Sequence, residues 1–277
     1  MKIMKAIENF FMKIFKKNNK VGAALAVVGI LTGLLILFII ANIYNVNIDG
    51  KIADGRPDEA ITVQIVFAML SWLGVSAGAL WVMVLYGFIN NAKWAWFWGA
   101  VAATVQLLAG FFPMIPAASI DLPTPTIWVF MIAIGLWFGM LFVGGVDIRI
   151  ITLAFVSGLA YVLTYIDGVG AISRYQTEPE GFVNGMYAMS QMVNWWGAAA
   201  WAVFIFALIG RKSWTIPMGI FAASMSMFGG YPVGLTDVIA VKGNFSMFLV
   251  APIMSTGLLI YLLLPGTKNM ITEWRNS

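Results

Sequence analysis

The sequence contains no cysteine and no histidine. The first absence excludes a disulfide, a thiolate nucleophile and an iron–sulfur cluster. The second excludes bis-histidine haem, histidine-ligated zinc or copper, and imidazole acid–base chemistry. Charge is scarce too: Asp, Glu, Lys and Arg make up 10% of the 277 residues, against about a quarter in soluble domains. No charged residue falls clearly in the middle of an apolar run, so a carboxylate proton relay and a charged-ion pump are both disfavoured. Walker A, G-x-S-x-G and H-E-x-x-H signatures are missing. The basic residues do not gather on a soluble module, so nucleic acid is not an expected partner. Methionine is plentiful, and Met186, Met189 and Met192 are spaced by three. With 17 methionines in the chain, chance and gap-filling account for that spacing better than a copper site does. The sequence therefore points to no cofactor, no metal and no catalytic residue.

What the chain has is apolar surface, at 61% of its residues. Polar groups this few do not cover a molecule of this size, so lipid is the expected solvent. Runs near 21–44, 61–88, 94–113, 127–145, 148–167, 186–209, 214–235 and 244–264 are each long enough to cross a hydrocarbon core of about 30 Å. The expected fold is all-α: a polytopic integral membrane protein of about eight transmembrane helices. Residues 1–20 carry Ile3, Ile7, Phe10, Phe11 and Ile14 on one helical face among six lysines, the pattern of an interfacial amphipathic helix. Residues 266–277 are expected to form a cytoplasmic tail.

Two stretches resemble each other. Ala68-Met69, Trp81, Trp94 and Gly99 are matched by Ala188-Met189, Trp201, Trp214 and Gly219, each 120 residues further on. Gly110-Phe-Phe-Pro113 is matched by Gly229-Gly-Tyr-Pro232 at 119. A period that covers four helices sets both halves in the same direction across the bilayer, giving parallel four-helix repeats over 21–145 and 146–265. Twelve Lys and Arg fall on the N-terminal side of the expected topology and four on the other, which places both termini in the cytoplasm of a cell membrane.

Polar groups at membrane depth are the candidates for function, because lipid makes them costly unless they are satisfied or used. Gln106, Gln191, Asn194, Ser71 and Ser226 are the expected substrate-binding residues, lining an outward-facing crevice between the repeats. Interhelical hydrogen bonding is the competing explanation. Asp167 and Asp237 are expected at outer helix ends within reach of water, and the acidic loop 49–59 offers no cation-binding spacing. By elimination the expected activity is transport, channelling or binding of a small neutral or weakly polar molecule. A membrane anchor or scaffold subunit is the first alternative. An interfacial lipid-processing enzyme using loop 168–185, with Arg174, Glu178 and Glu180, is the second. The expected partners are the lipid bilayer and, for the scaffold reading, other membrane subunits or further copies of the chain.

Overall fold

The computed structural model describes residues 14–277, so most of the basic segment at 1–20 lies outside the described residues. Helices account for nearly all the described chain, and no strand occurs among these residues. Two compact units divide it, Met1–Val146 and Asp147–Ser277.

In the first unit the helices are α1 (Asn19–Ala53), α2 (Pro57–Ile89), α3 (Ala95–Phe111) and α4 (Ile127–Val143). Each packs on the next in sequence and α4 returns to α1, closing a four-helix ring. In the second, α5 (Ile148–Thr177), α6 (Phe182–Ile209), α7 (Thr215–Thr236) and α8 (Val250–Leu263) close the same kind of ring, and α9 (Pro265–Asn276) follows a bend of 74°. Residues 266–277, expected as a tail, are thus helical. Thr267, Met270, Ile271 and Trp274 form the buried face of α9.

Among the described residues five helices are long and apolar enough to cross a membrane: Asn19–Ala53, Pro57–Ile89, Ala95–Ala118, Ile148–Thr177 and Phe182–Ile209. A sixth is added if Met247–Leu263 and the bent α9 are counted together. Helix α4 is apolar but has only 17 residues. Helix α7 has the length, yet Gly, Ser and Thr residues and Pro232 dilute its apolar character.

Start and stop signals are local. Asn18 caps α1 by accepting from the Val21 amide at 3.3 Å, and Pro57 opens α2 where no amide hydrogen is needed. Asp147 caps α5, accepting from the Arg149 amide at 2.8 Å. The Arg149 guanidinium, hydrogen-bonded to the same carboxylate, holds Asp147 below the usual carboxylate range, against a smaller opposing effect of burial. A depressed carboxylate contributes stability above its ordinary pKa of 3.8 and loses it as pH falls through the lower folded-state value. The thermal midpoint of the protein should therefore fall more steeply below about pH 4 than that of Asp147→Asn, whose amide caps without titrating. Parallel curves would remove the cap from the acid response.

The two hairpin turns share one backbone pattern. After α2, Asn91 takes φ 57° and the Ala92 amide donates to Gly87 O at 2.8 Å. After α6, Arg211 takes φ 58° and the Lys212 amide donates to Ala207 O at 2.9 Å. Both are helix ends closed by a left-handed residue and a six-to-one hydrogen bond. Asparagine adopts that conformation readily and arginine does not. Arg211 is held from outside: its guanidinium lies 4.0 Å over the Trp274 ring, and the Trp274 indole donates to Leu208 O at 2.8 Å.

Small residues set the helix spacings. Gly33 of α1 and Gly78 of α2 meet backbone to backbone, a Cβ on Gly33 falling 2.8 Å from the Gly78 Cα. A Cβ on Gly110 would lie 2.5 Å from the Phe130 amide nitrogen. Gly135, paired by sequence spacing with Gly139, has nothing within 4 Å and serves no close contact.

Candidate functional site

Helices α1 and α5 both run further than expected, and the extra turns carry polar residues inward. In the first unit α1 continues to Ala53, bringing Asn47 and Lys51 onto the face that already buries Ile36 and Ile40. The Lys51 ammonium, 3% exposed, donates to Glu59 Oε2 at 2.6 Å and to Ser119 Oγ at 2.8 Å. Arg56 pairs with Asp54 and Glu59 and donates to Ser119 O at 3.0 Å. Two of the acidic loop's carboxylates, Asp54 and Glu59, are thus paired with its own cations, and no group of three His, Cys, Asp or Glu that could hold a metal occurs among the described residues.

Within the first unit's bundle Trp81 and Gln106 are engaged. The Trp81 indole donates to Gln106 Oε1 at 2.8 Å, and Gln106 Nε2 donates to Gly29 O at 2.9 Å, all of it buried. Gln106 therefore ties α1, α2 and α3 together with both ends of its amide. Ser71 closes a π-helical turn, Phe67–Ser71, in α2. It is fully buried with an unpaired hydroxyl, and it lies in a different unit from Gln191, Asn194 and Ser226.

The second unit differs at the corresponding places. Trp201, 120 residues after Trp81, is buried with its indole N–H unpaired. Ser226, 120 after Gln106, is too short to reach an indole and instead shares a hydrogen bond of 2.9 Å with Thr164 of α5. Asn194, 120 after Gly74, fills space opened by Gly229: a Cβ there would sit 2.3 Å from Asn194 Oδ1. Asn194 Nδ2 donates to Ser190 Oγ at 2.9 Å, and Ser190 donates onward to Gly229 O at 3.3 Å. The Asn194 carboxamide oxygen keeps no partner. Of the five expected site residues, then, Asn194 and Ser226 lie in the same bundle interior. Gln191 shares helix α6 with Asn194 but is only half-buried.

Two carboxylates expected near water are buried instead. Helix α5 runs ten residues beyond Asp167, which leaves that residue 6% exposed with Oδ2 unpaired. Asp237 starts a π-helical turn, Asp237–Lys242, at the end of α7 and is fully buried. It accepts from the Tyr187 hydroxyl at 2.7 Å and the Ser246 hydroxyl at 2.5 Å. Beside this pair Ala171, Tyr187, Val233 and Phe248 form an apolar cluster. Pro252 of α8 seats its ring where a Cβ on Gly230 would lie, at 2.7 Å. Tyr165 and Trp195 stack at 6.2 Å with 18° between their planes, and Trp195 also covers Gly168.

Buried side-chain atoms with no hydrogen-bond partner occur at Asn47, Ser71 and Thr126 in the first unit. The second has them at Ser157, Asp167, Asn194, Trp195, Trp201, Arg211 and Ser255. Apart from Arg211 in the hairpin turn, the second group spreads over α5, α6 and α8. Such groups are ordinarily paired, with protein or with ordered water. Loop 168–185, the proposed seat of lipid chemistry, is mostly helix: α5 runs to Thr177, and Arg174 faces Glu178 at 3.8 Å within one turn. Comparison with protein-family models, with curated proteins and with solved structures finds no match for the chain.

Proposed function

We propose that this chain is an integral membrane protein with two parallel copies of a four-helix unit and both termini in the cytoplasm. In this reading the second copy admits a small polar molecule into its interior, for transport, channelling or binding. The observation that carries it is the open hydrogen-bonding capacity of Asp147–Ser277, where Asn194, Ser157, Ser255, Trp195 and Trp201 are buried with unpaired atoms. The equal turn geometry at Asn91 and Arg211, the equal helix order and the equal spacing of Trp81 and Trp201 support duplication. The skew of Lys and Arg to one side supports the orientation. Eight crossings follow if α4, α7 and α8 span together with their longer neighbours.

The test is solute-driven swelling of proteoliposomes, followed by light scattering with urea, glycerol and alanine as probes. Wild-type protein should swell vesicles faster than protein-free controls with at least one of these. Asn194→Leu should slow that rate about tenfold, the cost of one hydrogen bond in a desolvated site. Swelling indistinguishable from empty vesicles for every probe would sink the reading.

A further inference from the structure

The helix register sets two of the open oxygens at one level of the second unit. Helices α5 and α6 are joined by a short turn and run antiparallel. Thr164 Cγ2 lies 3.2 Å from where a Gly197 Cβ would be, and one turn on, a Cβ on Gly168 would lie 3.3 Å from Gln191 O and 2.3 Å from Trp195. That register sets Asp167 level with Asn194. Around α5, Thr164 faces Ser226 of α7, while a Cβ on Gly170 would be 3.4 Å from the Phe248 ring just before α8. Asp167 falls between those two directions, on the side turned toward the bundle interior. Its Oδ2 and the Asn194 Oδ1 are both buried and both unpaired.

We infer that the second unit binds a monovalent cation between the Asp167 carboxylate and the Asn194 carboxamide oxygen. This rests on the hydrogen-bonding interior proposed above and specifies its guest. Three features of chemistry support it. Asp167 Oδ2 and Asn194 Oδ1 are both oxygen acceptors, the hard donors that alkali cations and ammonium groups take, while the open Trp195 indole N–H at the same level is not a cation ligand. Among the described residues no lysine or arginine pairs with Asp167, and the nearest basic residue along α5, Arg174, faces Glu178 instead. A buried carboxylate without a counter-charge is strongly disfavoured, so an ionised Asp167 calls for a cation from outside the chain. One carboxylate matches one positive charge, whereas a divalent ion would need the acidic cluster that is absent among the described residues.

The experiment is thermal unfolding of the full chain in detergent, followed by tryptophan fluorescence. The added salts are NaCl, KCl or methylammonium chloride, with N-methyl-D-glucamine chloride as the bulky reference. Ionic strength is held equal, so general screening is the same in every arm. At least one small cation should raise the midpoint saturably, by about 2–4 °C at several times its half-saturation concentration. Response to sodium or potassium would identify a metal ion, and response to methylammonium alone an ammonium-bearing solute. Asp167→Asn, which keeps the shape, should lose the shift. Asn194→Leu, which keeps the carboxylate, should raise the half-saturation concentration about tenfold. Asp237→Asn, whose native carboxylate already has two hydroxyl donors, should keep the shift.

Equal midpoints in all four salts, as a permanently protonated Asp167 would give, overturn the inference. So does an undiminished shift in Asp167→Asn. Solute swelling without a cation shift would leave the interior's assignment standing and remove only the cation. A cation shift lost in Asp167→Asn, with no swelling for any probe, would do the reverse.

Discussion

Replacing Gly110 with alanine should destabilise the protein by about 3 kcal/mol, at the upper end of overpacking effects. The atoms in the way are backbone. The new methyl would lie 2.5 Å from the Phe130 nitrogen and 2.9 Å from its Cα. No side-chain rotation relieves that contact, so α3 and α4 have to move apart. Ala109, Val129 and Phe112, buried at the same level, would lose their packing with them. Gly135→Ala on α4 is the matched control, since nothing lies within 4 Å of its added methyl. There the better helix propensity of alanine should leave stability unchanged or raise it by up to about 1 kcal/mol. Denaturant unfolding of both variants in one detergent measures the difference. Two variants within about 0.5 kcal/mol of each other would show that the α3–α4 approach is looser than its geometry implies.

The second large effect is expected at Glu59→Gln. Lys51 is 3% exposed, and Glu59 is its one carboxylate partner within salt-bridge distance among the described residues. Removing the charge leaves a buried ammonium with the Ser119 hydroxyl and a neutral amide oxygen. Breaking one side of a buried pair costs about 3–5 kcal/mol. The low end applies here, because Ser119 still accepts one hydrogen bond from Lys51. Lys51→Met should cost less than Glu59→Gln, since Glu59 retains Arg56 at 3.4 Å. Reversed order would mean that Lys51 finds another acceptor or water once Glu59 is gone.

Much of the helical layout was legible in the sequence because apolar runs and short turns mark it directly. The segments near 127–145 and 186–209 correspond closely to α4 and α6. Helix ends on the longer-loop side were not legible. Tyr44-Asn-Val-Asn-Ile-Asp-Gly-Lys51 reads as a polar loop, yet it continues α1 because Asn47, Ile48 and Lys51 share a buried face. Residues 168–177 read the same way and continue α5, which buries Asp167 where a helix end near water is expected. The 120-residue spacing does carry a signal here: Tyr187 stands 120 residues after Phe67, and both rings are buried, but only Tyr187 has a hydroxyl. A hydroxyl in that place needs a partner, and Asp237 is that partner. The site residues were only partly legible for a similar reason. Depth in the bilayer flags Gln106 and Asn194 equally. Only contacts distinguish an amide bonded at both ends from one with an open oxygen.

One contact bears on the order in which such a site is assembled. In the first unit Gly74 faces Ala109, and in the second Asn194 faces Gly229. A Cβ on Gly74 would lie 2.2 Å from the Ala109 Cβ. In the first unit, an asparagine placed at Gly74 while Ala109 keeps its methyl meets that methyl and is blocked. Alanine to glycine first leaves only a small void, which the later carboxamide fills. The second unit is ordered in the same way, for Asn194 must shorten before Gly229 can take a side chain. The two positions are linked by sign epistasis: each substitution is harmful or tolerated according to which one came before.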